Sequence, residues 1–166
     1  MQKLRVDLDQ PTIGILIMRY LLSMVWLSQA AAKIFFRSGV ANDDHNGFLG
    51  NLLYMRDTNP VRFIVSILDK FLIPNYTIIL VLVILTELTI GTSLFLGLLT
   101  RFGSAIGGLM TISLFLLTLG WGEWIWTYPL IFFPHVLFFL AHSGKKFGLD
   151  HLLLERNKLI SLKILM

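Results

Sequence analysis

The chain has 166 residues, of which 55% are hydrophobic and only 14% charged, and its mean hydropathy is +0.74. A soluble domain carries about 25% charged residues, so this composition points to an integral membrane protein. The formal charge of +4 is scattered and flanks apolar runs, which argues against nucleic-acid binding and fits Lys and Arg at the cytoplasmic ends of spans. Cysteine is absent, which excludes disulfides, thiol catalysis and Cys-ligated zinc or iron–sulfur clusters. Any reactive sulfur handled here is substrate sulfur.

In chain order, the N-terminal "MQKLRVDLDQPT" is polar and mixed in charge. The apolar run after it is too long for the core of a cleavable signal peptide. The expected fold is all-α: one membrane domain, residues 1–166, built as a four-helix bundle with a long outer loop. The spans are predicted at about 12–36, 75–99, 102–119 and 126–147, each near the ~20 residues that cross hydrocarbon. Basic residues near both termini and Arg101 put one side in the cytoplasm, with both termini inside.

In the first span, Arg19, Trp26 and Lys33 are spaced seven apart and share one helix face, with Ser23 and Gln29 near it. Arg19 and Lys33 stand about 20 Å apart along the axis. The outer loop, 37–74, is long for a bundle, and both "GFLGNLLYM" and "NPVRFIVSILDKFLIP" carry apolar residues at helical spacing. In the second, Val61, Ile64, Val65, Leu68 and Leu72 form one face of a short amphipathic helix bracketed by Pro60 and Pro74. It lies on the outer membrane surface or caps the bundle; the bland alternative is a lid with no chemistry.

The second span carries Glu87 at about the depth of Trp26. A lone charge there costs several kcal/mol or more. Glu87 is therefore either neutral or paired, with Arg19 or Lys33 as the partner. Gly91, one turn on, makes room for a helix or a ligand, and Thr86 and Thr89 can donate hydrogen bonds nearby. A structural ion pair and a polar pocket for a quinone headgroup or an anion both fit. Gly97, Gly103, Gly107 and Gly108 are close-packing positions.

Between the third and fourth spans, "GWGEWIWTYP" crowds aromatics around Glu123. An aromatic belt explains this; so does the mouth of a quinone site walled by Trp124. His135 and His142 are seven apart in the fourth span, a weak signal for haem or metal. A hydrogen-bonded core residue, or a proton-transfer group, suits His135 better. The tail, 148–166, is cytoplasmic and reads as an interfacial helix or a docking arm for a partner subunit.

Arg19 and Lys33, fourteen apart, resemble the opening "R…G..K" signature of the DoxX/DoxD family, with Ala30 where that signature has glycine. "TELTIGTSLFLGLLTRFG" is similar to the family's "E…G..L..G..TR" signature, carried by Glu87, Gly91, Leu94, Gly97 and Arg101. The long loop, "GEWIWTYP" and "GKKFGLD" resemble the DoxD branch. The resemblance implies the membrane subunit of an archaeal thiosulfate:quinone oxidoreductase. It also implies a small DoxA-type partner, a caldariella- or menaquinone-type quinone as substrate, and tetrathionate as product. The alternative is a non-catalytic accessory or assembly subunit of a terminal quinol oxidase or other respiratory complex. A small-solute transporter fits less well, because the four spans show no inverted repeat.

The family supplies no settled catalytic residues, so roles follow from charge and depth. Glu87, Arg19 and Lys33 are the candidate catalytic groups. Trp26, Gln29, Gly91, Glu123, Trp124, His135 and Arg37 are the candidate quinone- or substrate-binding residues. No metal or haem is expected in this chain. The reactive pocket is expected between Lys33, Trp26 and Glu87, with Arg19 supporting Glu87 from below.

Overall fold

A computed structural model describes residues 13–35, 47–122, 126–141 and 148–150. Helix α1 spans Ile13–Phe35, α2 Gly47–Thr58, α3 Arg62–Ile67, α4 Tyr76–Leu96, α5 Thr100–Leu117 and α6 Thr127–Leu140. Helix α3 runs on into a single π-helical turn, Leu68–Leu72. The described residues are all-α.

Three helices, α1, α4 and α5, are long and apolar enough to cross a membrane, with 23, 21 and 18 residues. At 1.5 Å per residue they extend about 35, 32 and 27 Å, against a hydrocarbon core of about 30 Å. The chain is a multi-pass membrane protein. Helix α6 is apolar but has only 14 residues, about 21 Å. Residues 142–147, the rest of the predicted fourth span, lie outside the described residues. Pro129 sits in the first turn of α6, where its missing N–H costs nothing, whereas Pro134 lies inside the helix and removes a backbone bond.

Helix α1 packs on α4, α4 on α5, α5 on α6, and α6 touches α1, closing a ring. Its apolar centre is Leu22, Trp26, Ile90, Leu94 and Phe138. Between α4 and α5 the chain reverses in three residues. Gly97 ends α4 in the left-handed region at φ 64, and Leu99 precedes α5 at φ 51. A Cβ on Gly97 would lie 2.6 Å from the Cα of Gly148, so glycine is required both by backbone geometry and by space.

The loop before α4 holds two helices rather than one. Its "GFLGNLLYM" stretch is the larger part of α2. Leu52 and Met55 of α2 bury against Leu68, with Ile64, Leu72, Tyr76, Leu117 and Trp121 around them. This cluster caps one end of α4 and α5. The expected apolar face is present at Ile64, Leu68 and Leu72, but Val61 is the residue before α3 and is exposed. Asn59 fastens the cap: its Nδ2 donates to the carbonyls of Leu116 (2.8 Å) and Leu117 (3.0 Å), and its Oδ1 accepts from the Val61 amide (2.9 Å). These carbonyls belong to the last turn of α5, where helix carbonyls lack intrahelical partners.

Candidate functional site

The seven-residue stripe of α1 makes three polar layers, each joined to a different part of the chain. At the end nearer the cap, Lys33 donates to both oxygens of Glu87, at 2.8 and 3.0 Å. Its ammonium also reaches the Gln29 carbonyl at 3.3 Å. The Glu87 side chain is only 4% exposed and that of Lys33 16%. Glu87 is thus paired, and a two-oxygen contact to an ammonium offsets much of the cost of burying either charge.

One layer on, the Trp26 indole Nε1–H donates to His135 Nε2 at 3.0 Å, fully buried. An indole N–H is only a donor. Nε2 must therefore carry the lone pair, and the proton of the neutral imidazole resides on Nδ1. That Nδ1 is buried and has no hydrogen-bond partner among the described residues. A buried donor left so costs about 1–3 kcal/mol. Gly107 makes the placement possible, because a Cβ there would run into the His135 ring.

The third layer holds Arg19, which is fully buried. Its guanidinium lies beside Gly97, where a Cβ would come within 3.0 Å of its Nη1, and 5.0 Å from the Tyr20 ring centroid. Gly97 is ten residues past Glu87, about 15 Å along α4, so Arg19 does not support Glu87. Its charge acts instead on Asp150. Asp150 accepts from the amides of Leu99 (2.7 Å) and Thr100 (3.1 Å) and from the Thr100 hydroxyl (2.8 Å). Its own amide donates to the Gly97 carbonyl at 2.9 Å. A residue remote in sequence thus caps the N-terminus of α5, where a carboxylate also meets the positive end of the helix dipole. Burial pushes the Asp150 carboxyl above its ordinary value; the hydrogen bonds from Thr100 and Leu99 and the Arg19 charge pull it partly back.

Other expected residues make contacts of their own. A Cβ on Gly91 would lie 2.7 Å from Leu27 Cγ, so this glycine admits helix α1. Thr86 and Thr89 donate to the carbonyls of Leu82 and Leu85 in their own helix, each at 2.7 Å, not toward Glu87. Gln29 is exposed. The Arg101 guanidinium stacks 4.6 Å from the Phe139 ring centroid, tying α5 to α6. Arg37, Glu123, Trp124 and His142 lie outside the described residues.

Two grooves open along the α5–α6 seam. One, of about 260 Å³, is walled by Phe115, Trp126, Tyr128 and Phe133. The other, of about 370 Å³, is lined by Ser104, Ala105, Gly108, Phe132, His135 and Phe139. They share Ile112 and Phe132 and so adjoin. Among the described residues, no group of three His, Asp or Glu side chains could hold a metal ion.

Sequence reasoning missed Asp150 and Asn59. Both act across long separations on the ends of α5, and only the Gly-Leu-Asp ending beside a glycine-terminated helix hinted at the first.

No curated protein and no solved structure matches the chain. A family description does: "TQO small subunit DoxD" matches residues 15–166. That stretch takes in all three polar layers and both capped ends of α5, and the chain belongs to the DoxD family.

Proposed function

We propose that this chain is the quinone-reducing membrane subunit of a thiosulfate:quinone oxidoreductase, with four spans, both termini cytoplasmic and a small DoxA-type partner. The family match over nearly the whole chain carries this reading. The overall reaction joins two thiosulfate dianions through a new S–S bond to give tetrathionate. The two electrons released, with two protons, convert a caldariella- or menaquinone-type quinone to its quinol. Thiosulfate belongs at the wet, outer end, where Lys33 and the loop's Arg37 and Arg56 supply positive charge. The chain's own proton-bearing groups, Glu87 against Lys33 and His135 against Trp26, sit between that end and the centre of the bundle. Intramembrane ionisable residues of this kind serve proton routes in many membrane proteins.

A second reading is favoured by one observation: the family-signature residues all have packing partners. Glu87 binds Lys33, Gly91 admits Leu27, Gly97 meets Gly148, and Arg101 stacks on Phe139. An accessory or assembly subunit of a respiratory complex needs no more. Steady-state turnover by the purified chain with its partner separates the two. The oxidoreductase reading predicts thiosulfate-dependent reduction of decylubiquinone that slows at least tenfold in Glu87→Gln. Unchanged electron transfer in that variant favours the accessory role.

A further inference from the structure

Among the described residues, Arg101 Nε and His135 Nδ1 are both buried side-chain nitrogens without a hydrogen-bond partner, but the Arg101 guanidinium is stacked on the Phe139 ring. Lys33, Glu87, Asp150, Asn59 and Ser104 all have hydrogen-bond partners within the chain. His135 uses one nitrogen on Trp26, and the other, Nδ1, is buried without a partner among the described residues. His135 also lines the larger α5–α6 groove.

The groove's composition follows from the sequence of the two helices. On α5, Ser104, Ala105 and Gly108 recur at helical spacing, so that wall is flat and lacks bulk. On α6, Phe132 and Phe139 lie three before and four after His135, one turn to either side of it. The two phenylalanines and His135 thus line the same side of the groove. Gly108 keeps the slot open: a Cβ there would make ordinary contact with Phe132 at 3.6 Å and His135 Cβ at 3.8 Å. The rim residues Leu109 and Leu140 are 67% and 54% exposed, and in a membrane that exposure faces lipid. The depth is central, because Trp26 lies midway between Arg19 and Lys33 on α1.

We infer that the α5–α6 groove binds the headgroup of a planar, lipid-borne carbonyl compound, with His135 Nδ1–H donating to its carbonyl oxygen. The ligand arrives sideways from the bilayer and its ring lies against the small residues of α5. Trp26 is a positioning residue: by occupying Nε2 it fixes the tautomer that makes Nδ1 a donor. The assignment rests on the oxidoreductase reading for its choice of a quinone as the ligand. The unpartnered donor and the slot are independent of that reading. A phospholipid ester offers the same acceptor chemistry on an apolar tail, so the source of the carbonyl must be tested.

The test uses the full chain in nanodiscs of ether-linked lipid, which carry no ester carbonyl, titrated with decylubiquinone and followed by tryptophan quenching. Wild type should bind saturably. Ala105→Phe fills the slot from its exposed edge without touching the Trp26–His135 bond. His135→Leu removes the donor. Each should weaken binding at least tenfold, whereas Leu85→Phe, which adds the same kind of bulk to the exposed face of α4, should not. Nitrogen-15 NMR should show Nδ1 protonated before titration and its resonance shifting as decylubiquinone binds. A wild-type protein that binds no decylubiquinone would sink the quinone reading itself. Saturable binding that survives both Ala105→Phe and His135→Leu would overturn the groove alone. So would an Nδ1 resonance that responds to ester lipid and ignores decylubiquinone.

Discussion

Lys33 and Glu87 show how a charge survives inside a membrane helix. Neither could stay ionised alone at that depth at modest cost, and together they make a two-oxygen contact. Lys33→Met should therefore strand a buried carboxylate and cost about 3–5 kcal/mol, read as a fall in unfolding midpoint in detergent. Lys33→Met/Glu87→Leu removes both charges and should recover most of that loss. The double variant then isolates chemistry from folding: stable protein without turnover assigns the pair a part in the reaction. The adjacent glycines of α5 make a sharper contrast. Gly107→Ala drives a Cβ into the His135 ring and should destabilise by about 1–3 kcal/mol through overpacking. Gly108→Ala makes only ordinary contacts and should be neutral or stabilising by up to about 1 kcal/mol, the helix-propensity gain over glycine. At this scale the charges were legible in the sequence, because depth and spacing narrowed the partner of Glu87 to two candidates. The choice between them was not. It depended on how α1 slides against α4, which Gly91 and Leu27 decide through their contact.

At the scale of elements, α5 is held at both ends by side chains from distant segments. Asp150 closes its N-terminus and Asn59 its C-terminus. Asp150→Asn keeps the size but loses the charge, and one oxygen acceptor becomes a donor facing other donors. It should cost about 0.5–2 kcal/mol, the range for a lost N-cap. Asn59→Ala leaves the Leu116 and Leu117 carbonyls without their amide donor and should cost about 1–3 kcal/mol. Because Asn59 also fastens the cap, this variant should open the segment around residues 58–62 to limited proteolysis, which Asp150→Asn should not do. Equal protease sensitivity in the two variants would mean that the cap is held by its apolar cluster alone. Apolar periodicity revealed the long helices and the α3 face, since it is a local property. The ends of α5 were hidden because their partners lie 50 and 57 residues away, a distance over which no periodic signal operates. The α5–α6 grooves were hidden for a related reason. The interior at Trp26 is filled by Leu22, Ile90, Leu94 and Phe138, while open space lies on α5–α6, where small and aromatic residues face one another.

For the whole molecule, the absence of cysteine makes the proposed topology directly measurable. Single Lys3→Cys and Ser66→Cys variants introduce one thiol each. With four spans and both termini inside, an impermeant maleimide should label Ser66→Cys in intact cells and Lys3→Cys only after permeabilisation; the opposite pattern would invert the orientation. The functional account joins a charged pair near one end, a neutral Trp–His layer at mid-depth, and a capped turn at the other end, in a chain of the DoxD family. Its central claim is that electrons from thiosulfate reach a quinone through a complex containing this chain. The most direct measurement is product stoichiometry in proteoliposomes holding the intact complex, with thiosulfate and decylubiquinone supplied together. The account predicts two thiosulfates consumed for each tetrathionate and each quinol formed, with the rate falling at least tenfold in Glu87→Gln. An intact, correctly assembled complex that forms no quinol from thiosulfate would contradict it.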